Sequence, residues 1–121
     1  MGWKLDSDRP IYAQLLERIQ MQVVSGHYPA GSKLPSVREL AAEAGVNPNT
    51  MQKAFSELER SALIQTQRTA GRFVTQDTVL ICQLRQKLAR EQSELFFQKM
   101  QQLGYSQKEI LLFLKTEFEE G

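Results

Sequence analysis

Cysteine and histidine are almost missing from this 121-residue chain, with Cys82 and His27 its only soft metal ligands. One cysteine cannot close an intramolecular disulfide, and zinc, haem and iron–sulfur centres need more ligands of this kind than two. No cofactor and no metal are therefore expected. Long apolar runs are missing too: nothing approaches the roughly 18 residues a membrane span needs. The opening MGWKLDSDRP also lacks the apolar stretch of a signal peptide. A cytoplasmic protein with no membrane partner is the expectation. Nor does one sign of charge dominate, because 15 basic and 14 acidic residues leave a net charge of +1. The chain as a whole does not advertise a polyanion partner. Residues 1–75 hold nine basic and seven acidic groups, too small an asymmetry to argue nucleic-acid binding without a motif. No nucleophile elbow, glycine-rich phosphate loop or paired carboxylates occur, so enzymatic chemistry has no residues to carry it.

What is present is an ordinary globular balance, 41% hydrophobic and 24% charged, in a length that suits one small domain with an appendage. Pro10 and then Ile11, Leu15, Leu16, Ile19 and Val23, spaced 4, 1, 3 and 4 apart, predict a first helix ending before Gly26. HYPAGSKLP follows as a turn-rich segment in which Pro35 biases Leu34 toward an extended conformation. Ser36 and Glu39 form S-x-x-E, a capping box that opens a short second helix with Val37, Leu40 and Ala41 on its apolar face, ending near Gly45. Asn47 and Pro48 suit the N-cap and first position of a third helix, whose buried face is Met51, Ala54, Phe55 and Leu58.

Two helices so closely joined predict a helix-turn-helix. After Leu63 the pattern alternates through Ile64 to Gln67, turns at RTAG and resumes at Arg72 to Thr75, a hairpin that reads as a wing. From Val79 the chain becomes helical again, with Leu80, Leu84, Leu88, Leu95, Phe96, Met100 and Leu103 on one broad stripe until Gly104. A second capping box, Ser106 and Glu109, opens a last helix carrying Ile110, Leu111, Phe113, Leu114 and Phe118. The fold class expected is α+β, mostly α. A winged helix-turn-helix domain spans residues 1–76, and a two-helix C-terminal dimerisation region spans 77–121. Two helices of this size rarely stabilise themselves without a partner, so a homodimer through Leu84, Leu88, Leu95, Phe96, Leu111, Phe113 and Leu114 is expected. Cys82, among Val79, Leu80, Ile81 and Leu84, is expected to be a small buried hydrophobe, and Trp3 and Tyr12 to pack on the domain.

LPSVRELA (Leu34 to Ala41), GVNPNTMQKAFSEL (Gly45 to Leu58), the hairpin ending GRFV (Gly71 to Val74) and the upstream PIYAQL together resemble the GntR superfamily of bacterial winged-helix transcription regulators. The short tail is similar to that of the YtrA-like subfamily, in which it serves dimerisation. The resemblance implies a double-stranded DNA operator and a second copy as partners, repression of a transporter-type operon as the role, and room for a small-molecule effector. It also implies that Arg38 binds operator DNA, which alone would read as a solvated arginine. Ser36 serves either as a cap or as a phosphate contact. The start of the third helix offers Asn47, Asn49, Thr50, Gln52 and Lys53 to the major groove, with Asn47 the better cap and Asn49 and Thr50 the better readers. Arg68, Thr69, Gly71 and Arg72 of the wing suit the minor groove or the backbone, against a plain hairpin turn. Pro48 and Asn49 stand where many relatives have a basic residue. Ala62 stands where many have glycine, so a left-handed turn there costs what glycine would avoid. A winged-helix protein-interaction module without specific DNA binding is the other function class left open by the fold.

Overall fold

The computed structural model describes residues 2–119 and contains five helices and one hairpin in the order α1 (Ile11–Val24), α2 (Val37–Ala44), α3 (Pro48–Arg60), β1 (Ile64–Gln67), β2 (Gly71–Val74), α4 (Thr78–Gln102) and α5 (Gln107–Phe118). Each start has a local cause. Pro10 precedes α1. At α2, Ser36 Oγ accepts the Glu39 N–H at 3.0 Å while Glu39 Oε1 accepts the Ser36 N–H at 2.9 Å, which is the reciprocal capping box. At α3, Asn47 Oδ1 accepts the Asn49 N–H at 2.7 Å and Pro48 takes the first turn, where its missing N–H is no loss. Asp77 Oδ1 accepts the Leu80 N–H ahead of α4, and Ser106 and Glu109 repeat the capping box at α5.

The chain divides into two compact units, residues 1–85 and 86–121. In the first, α1 and α2 both pack on α3, and Leu15, Ile19, Leu40, Met51, Ala54, Phe55 and Leu58 are fully buried. Trp3, Tyr28, Ile81 and Leu84 pack against this core from its margins, so the unit extends beyond the wing into the first two turns of α4. Cys82 is exposed, contrary to the buried position expected for it. The reason is helical phase: Ile81 and Leu84 take the core-facing stripe, and one residue past Ile81 is a turn of about 100° away from it. In the second unit Ile110 is fully buried, and the Tyr105 and Phe113 rings lie 5.9 Å apart.

The hairpin pairs antiparallel with Ile64 opposite Val74 and Gln67 opposite Gly71. Residues 31–34, expected only as a turn segment, add to its other edge. The Val74 N–H donates to Ser32 O at 2.9 Å, the Leu34 N–H to Arg72 O at 2.9 Å, and Lys33 bridges Phe73. The wing is thereby fastened to the core on both sides of β2.

After α3, Ala62 adopts a left-handed conformation with φ 66°, and the Leu63 N–H then bonds back to Leu58 O at 3.1 Å. A left-handed residue with a Cβ costs roughly 1 to 2 kcal/mol, part of which a glycine recovers at some cost in unfolded-chain entropy. Ala62→Gly is therefore expected to stabilise the protein by about 0.5 to 1 kcal/mol, measured by urea unfolding.

Glu39 has its pKa lowered from 4.5, first by the Ser36 backbone N–H and then by the Ser36 side chain. A depressed carboxylate stabilises the fold above its unfolded value and loses that contribution as pH falls through the folded one. Stability should thus decline from about pH 4.5 downward, with a shallower decline in Glu39→Gln.

Candidate nucleic-acid interface

Three segments carry the polar residues expected to meet DNA: the start of α2, the first turns of α3, and the wing. At α2 the capping box occupies both Ser36 and Glu39, which leaves the exposed Arg38 guanidinium on the first turn. Arg38 has no ion pair among the described residues.

On α3 the buried Met51, Ala54, Phe55 and Leu58 fix which way the helix is turned. Asn49 is consequently exposed and Thr50 half-buried, both in the first turn. Asn47 spends its side-chain oxygen on the cap. Gln52 is tethered: its Nε2 donates to Ser56 Oγ at 3.4 Å, and its Oε1 accepts from Arg72 at 3.5 Å. Lys53 lies across to α1, with Nζ 3.9 Å from the centre of the Tyr12 ring. A ring face attracts an ammonium without quenching its charge, so Lys53 is restrained yet still free to donate to an anion.

The wing turn runs through Arg68, Thr69 and Ala70, with Thr69 left-handed at φ 67° and Gly71 at φ 109°. Arg68 is exposed at the tip. Arg72 is not at the tip. Opposite Thr66 in the hairpin register, its side chain folds back on α3, with Nε 3.9 Å from Glu59 Oε1 and the guanidinium carbon 5.4 Å from the centre of the Phe55 ring. The Thr66 hydroxyl donates to the same Glu59 carboxylate. One acidic residue of α3 thus holds both strands of the wing.

Glu59 and Lys33 were missed in the sequence reading. Glu59 sits on a helix flank with no motif of its own. Lys33 lies 40 residues before its wing partner Phe73, and that bridge leaves no trace in the order of residues. Between the wing and the start of α2 is a cleft of about 290 Å³ lined by Lys33, Ser36, Glu39, Thr69, Gly71 and Arg72, among others.

Residues 11–74 match the model of the family described as bacterial regulatory proteins, gntR family. The chain is 40% identical over 121 residues to an HTH-type transcriptional regulator of Bacillus subtilis, YhcF, covering all of this chain and 99% of that one. It is 42% identical over 71 residues to the Bacillus subtilis HTH-type transcriptional repressor YtrA, covering 59% of this chain and 55% of that one. A solved GntR family transcriptional regulator from Listeria monocytogenes superimposes with a TM-score of 0.84 at 40% identity, covering 93% of this chain and 98% of the other. With the helix-turn-helix and wing in place and the likeness running the length of the chain, this protein belongs to the gntR family, as a non-enzymatic, DNA-binding transcription regulator of the short YtrA-like kind.

Proposed function

We propose that this regulator is a homodimeric repressor of a transporter-type operon, reading an inverted-repeat operator with one winged helix per half-site. The helix at Pro48–Arg60 enters the major groove, where Asn49 and Thr50 read base edges and the tethered Gln52 assists. Arg38, Lys53 and Arg68 meet the phosphate backbone, and Thr69 and Gly71 bring the wing turn close to the sugar edges. Asn47 and Ser36 act chiefly as caps, and Arg72 as a brace between the wing and α3. Any small effector would act by changing how the two winged helices are held.

The observation that supports pairing is uncovered apolar area in residues 77–121. Leu95, Phe96, Leu103, Leu111, Leu112 and Phe118 are between 39% and 78% exposed, more than a small chain usually leaves to water without a partner. Leu88, Phe113 and Leu114 flank them half-buried, whereas Leu84, also half-buried, packs against its own winged-helix core. The seam between two copies would accordingly begin beyond Leu84.

Two experiments test this reading. In titrations of operator and random DNA over a range of salt, Arg38→Ala should weaken both alike and reduce the salt slope by about one, whereas Asn49→Ala should mainly erode operator preference by about 1 to 3 kcal/mol. An Arg38→Ala variant that binds as the unmodified chain does at every salt concentration would remove that residue from the interface. In sedimentation, the full chain should run as a dimer and a chain carrying both Leu95→Glu and Phe96→Glu as a monomer. That monomer should lose about 100-fold or more in affinity for the whole operator while binding half-sites undiminished, because only linkage is lost. A monomeric unmodified chain would refute the pairing.

A further inference from the structure

The wing has fewer cations at work than its sequence suggests. Arg72 is turned back toward Glu59 and Gln52 over the Phe55 ring, with its Nε buried and without a hydrogen-bond partner among the described residues, so its guanidinium is held against α3 and away from the wing tip. Residues 31–34 run along β2, and the bridge to Phe73 sets Lys33 beside the wing, exposed and without an ion pair among the described residues. Its stem crosses Gly71 so closely that a Cβ there would stand 3.0 Å from Lys33 Cε and 3.7 Å from Nζ. Gly71 therefore serves twice, permitting φ 109° and leaving the lysine its path. Glu39, the acid among the residues lining the same cleft, accepts the Ser36 N–H at 2.9 Å and feels the Lys33 charge, which helps to lower its pKa, but forms no ion pair with it.

From this geometry we propose that Lys33 is a wing cation: it binds one backbone phosphate of the operator in the cleft between the Thr69–Gly71 turn and α2, over Gly71. The proposal rests on the reading that this face meets DNA. A phosphodiester suits the cleft because an exposed ammonium is a point charge with three donors and no geometric demand for a base edge. The contact carries no sequence information, so it should contribute equally to operator and random DNA. One phosphate contact accounts for a salt-slope increment of about 0.9.

The test is a salt titration of the full chain with operator and random duplexes. Lys33→Gln, which keeps the stem, should weaken both by about five- to tenfold at about 0.1 M salt and lower the slope by about one, and Lys33→Arg should restore both. Gly71→Ala should displace the lysine and lower the slope in the unmodified background but not in Lys33→Gln, which separates the loss of the contact from backbone strain. Thermal melting of each variant across the same salt range checks that the folded fraction is constant, so that it does not enter the slope. An unchanged slope in Lys33→Gln, with Arg38→Ala still impaired, would overturn the proposal and leave DNA binding by this face intact. Loss confined to the operator would also overturn it, by making Lys33 a reader of sequence. If neither duplex bound the unmodified chain, both readings would fall together.

Discussion

Burial of one face of α3 is the constraint from which the rest of the molecule follows. Met51, Ala54, Phe55 and Leu58 are each fully buried, with α1 and α2 pressed on the same helix. Truncating Met51, Phe55 or Leu58 to alanine is expected to cost roughly 2 to 5 kcal/mol each, against a total of about 5 to 15 kcal/mol for a typical domain. The helix therefore cannot rotate about its axis without unfolding the unit. At about 100° per residue, the positions between the buried ones are forced outward, which is why Asn49 and Lys53 are exposed. A substitution on its outward face therefore changes the chemistry presented there without turning the helix.

The second determinant is how charge is distributed among neighbours. With 15 basic and 14 acidic residues the chain has no bulk attraction for DNA, so an anion-binding face has to come from local sorting. Arg9 pairs with Glu17, Arg60 with Glu57, Lys87 with Glu91, and Arg72 lies toward Glu59. Lys33, Arg38, Lys53 and Arg68 have no such carboxylate among the described residues. Exposed ion pairs of this kind stabilise a fold by about 0 to 1 kcal/mol.

The legible parts of the sequence were those set by short-range rules. S-x-x-E at Ser36 and Ser106, Asn47-Pro48 ahead of α3, and the apolar spacing of α1 and α3 each depend on residues within four positions of one another, and each forms as expected. The left-handed turn was legible only as a cost, in an alanine standing where relatives carry glycine, and Ala62 adopts it with φ 66°. What could not be read were pairings between distant residues. The edge segment at 31–34, the Glu59 brace and the tethering of Gln52 by Arg72 span from 7 to about 40 positions. A composition-level cue misled at Cys82, whose apolar neighbours suggested burial, because adjacency along a helix places neighbours on different faces.

That thiol offers a spectroscopic handle. Cys82 is the sole cysteine of the chain, it is exposed, and it lies on α4 between Ile81 and Leu84, which anchor that turn to the winged-helix core. A maleimide dye or nitroxide attached there reports on one rigid location without prior removal of competing thiols. In the homodimer proposed above, two labelled copies would give a single interprobe distance, and free and operator-bound protein could be compared on the same ruler.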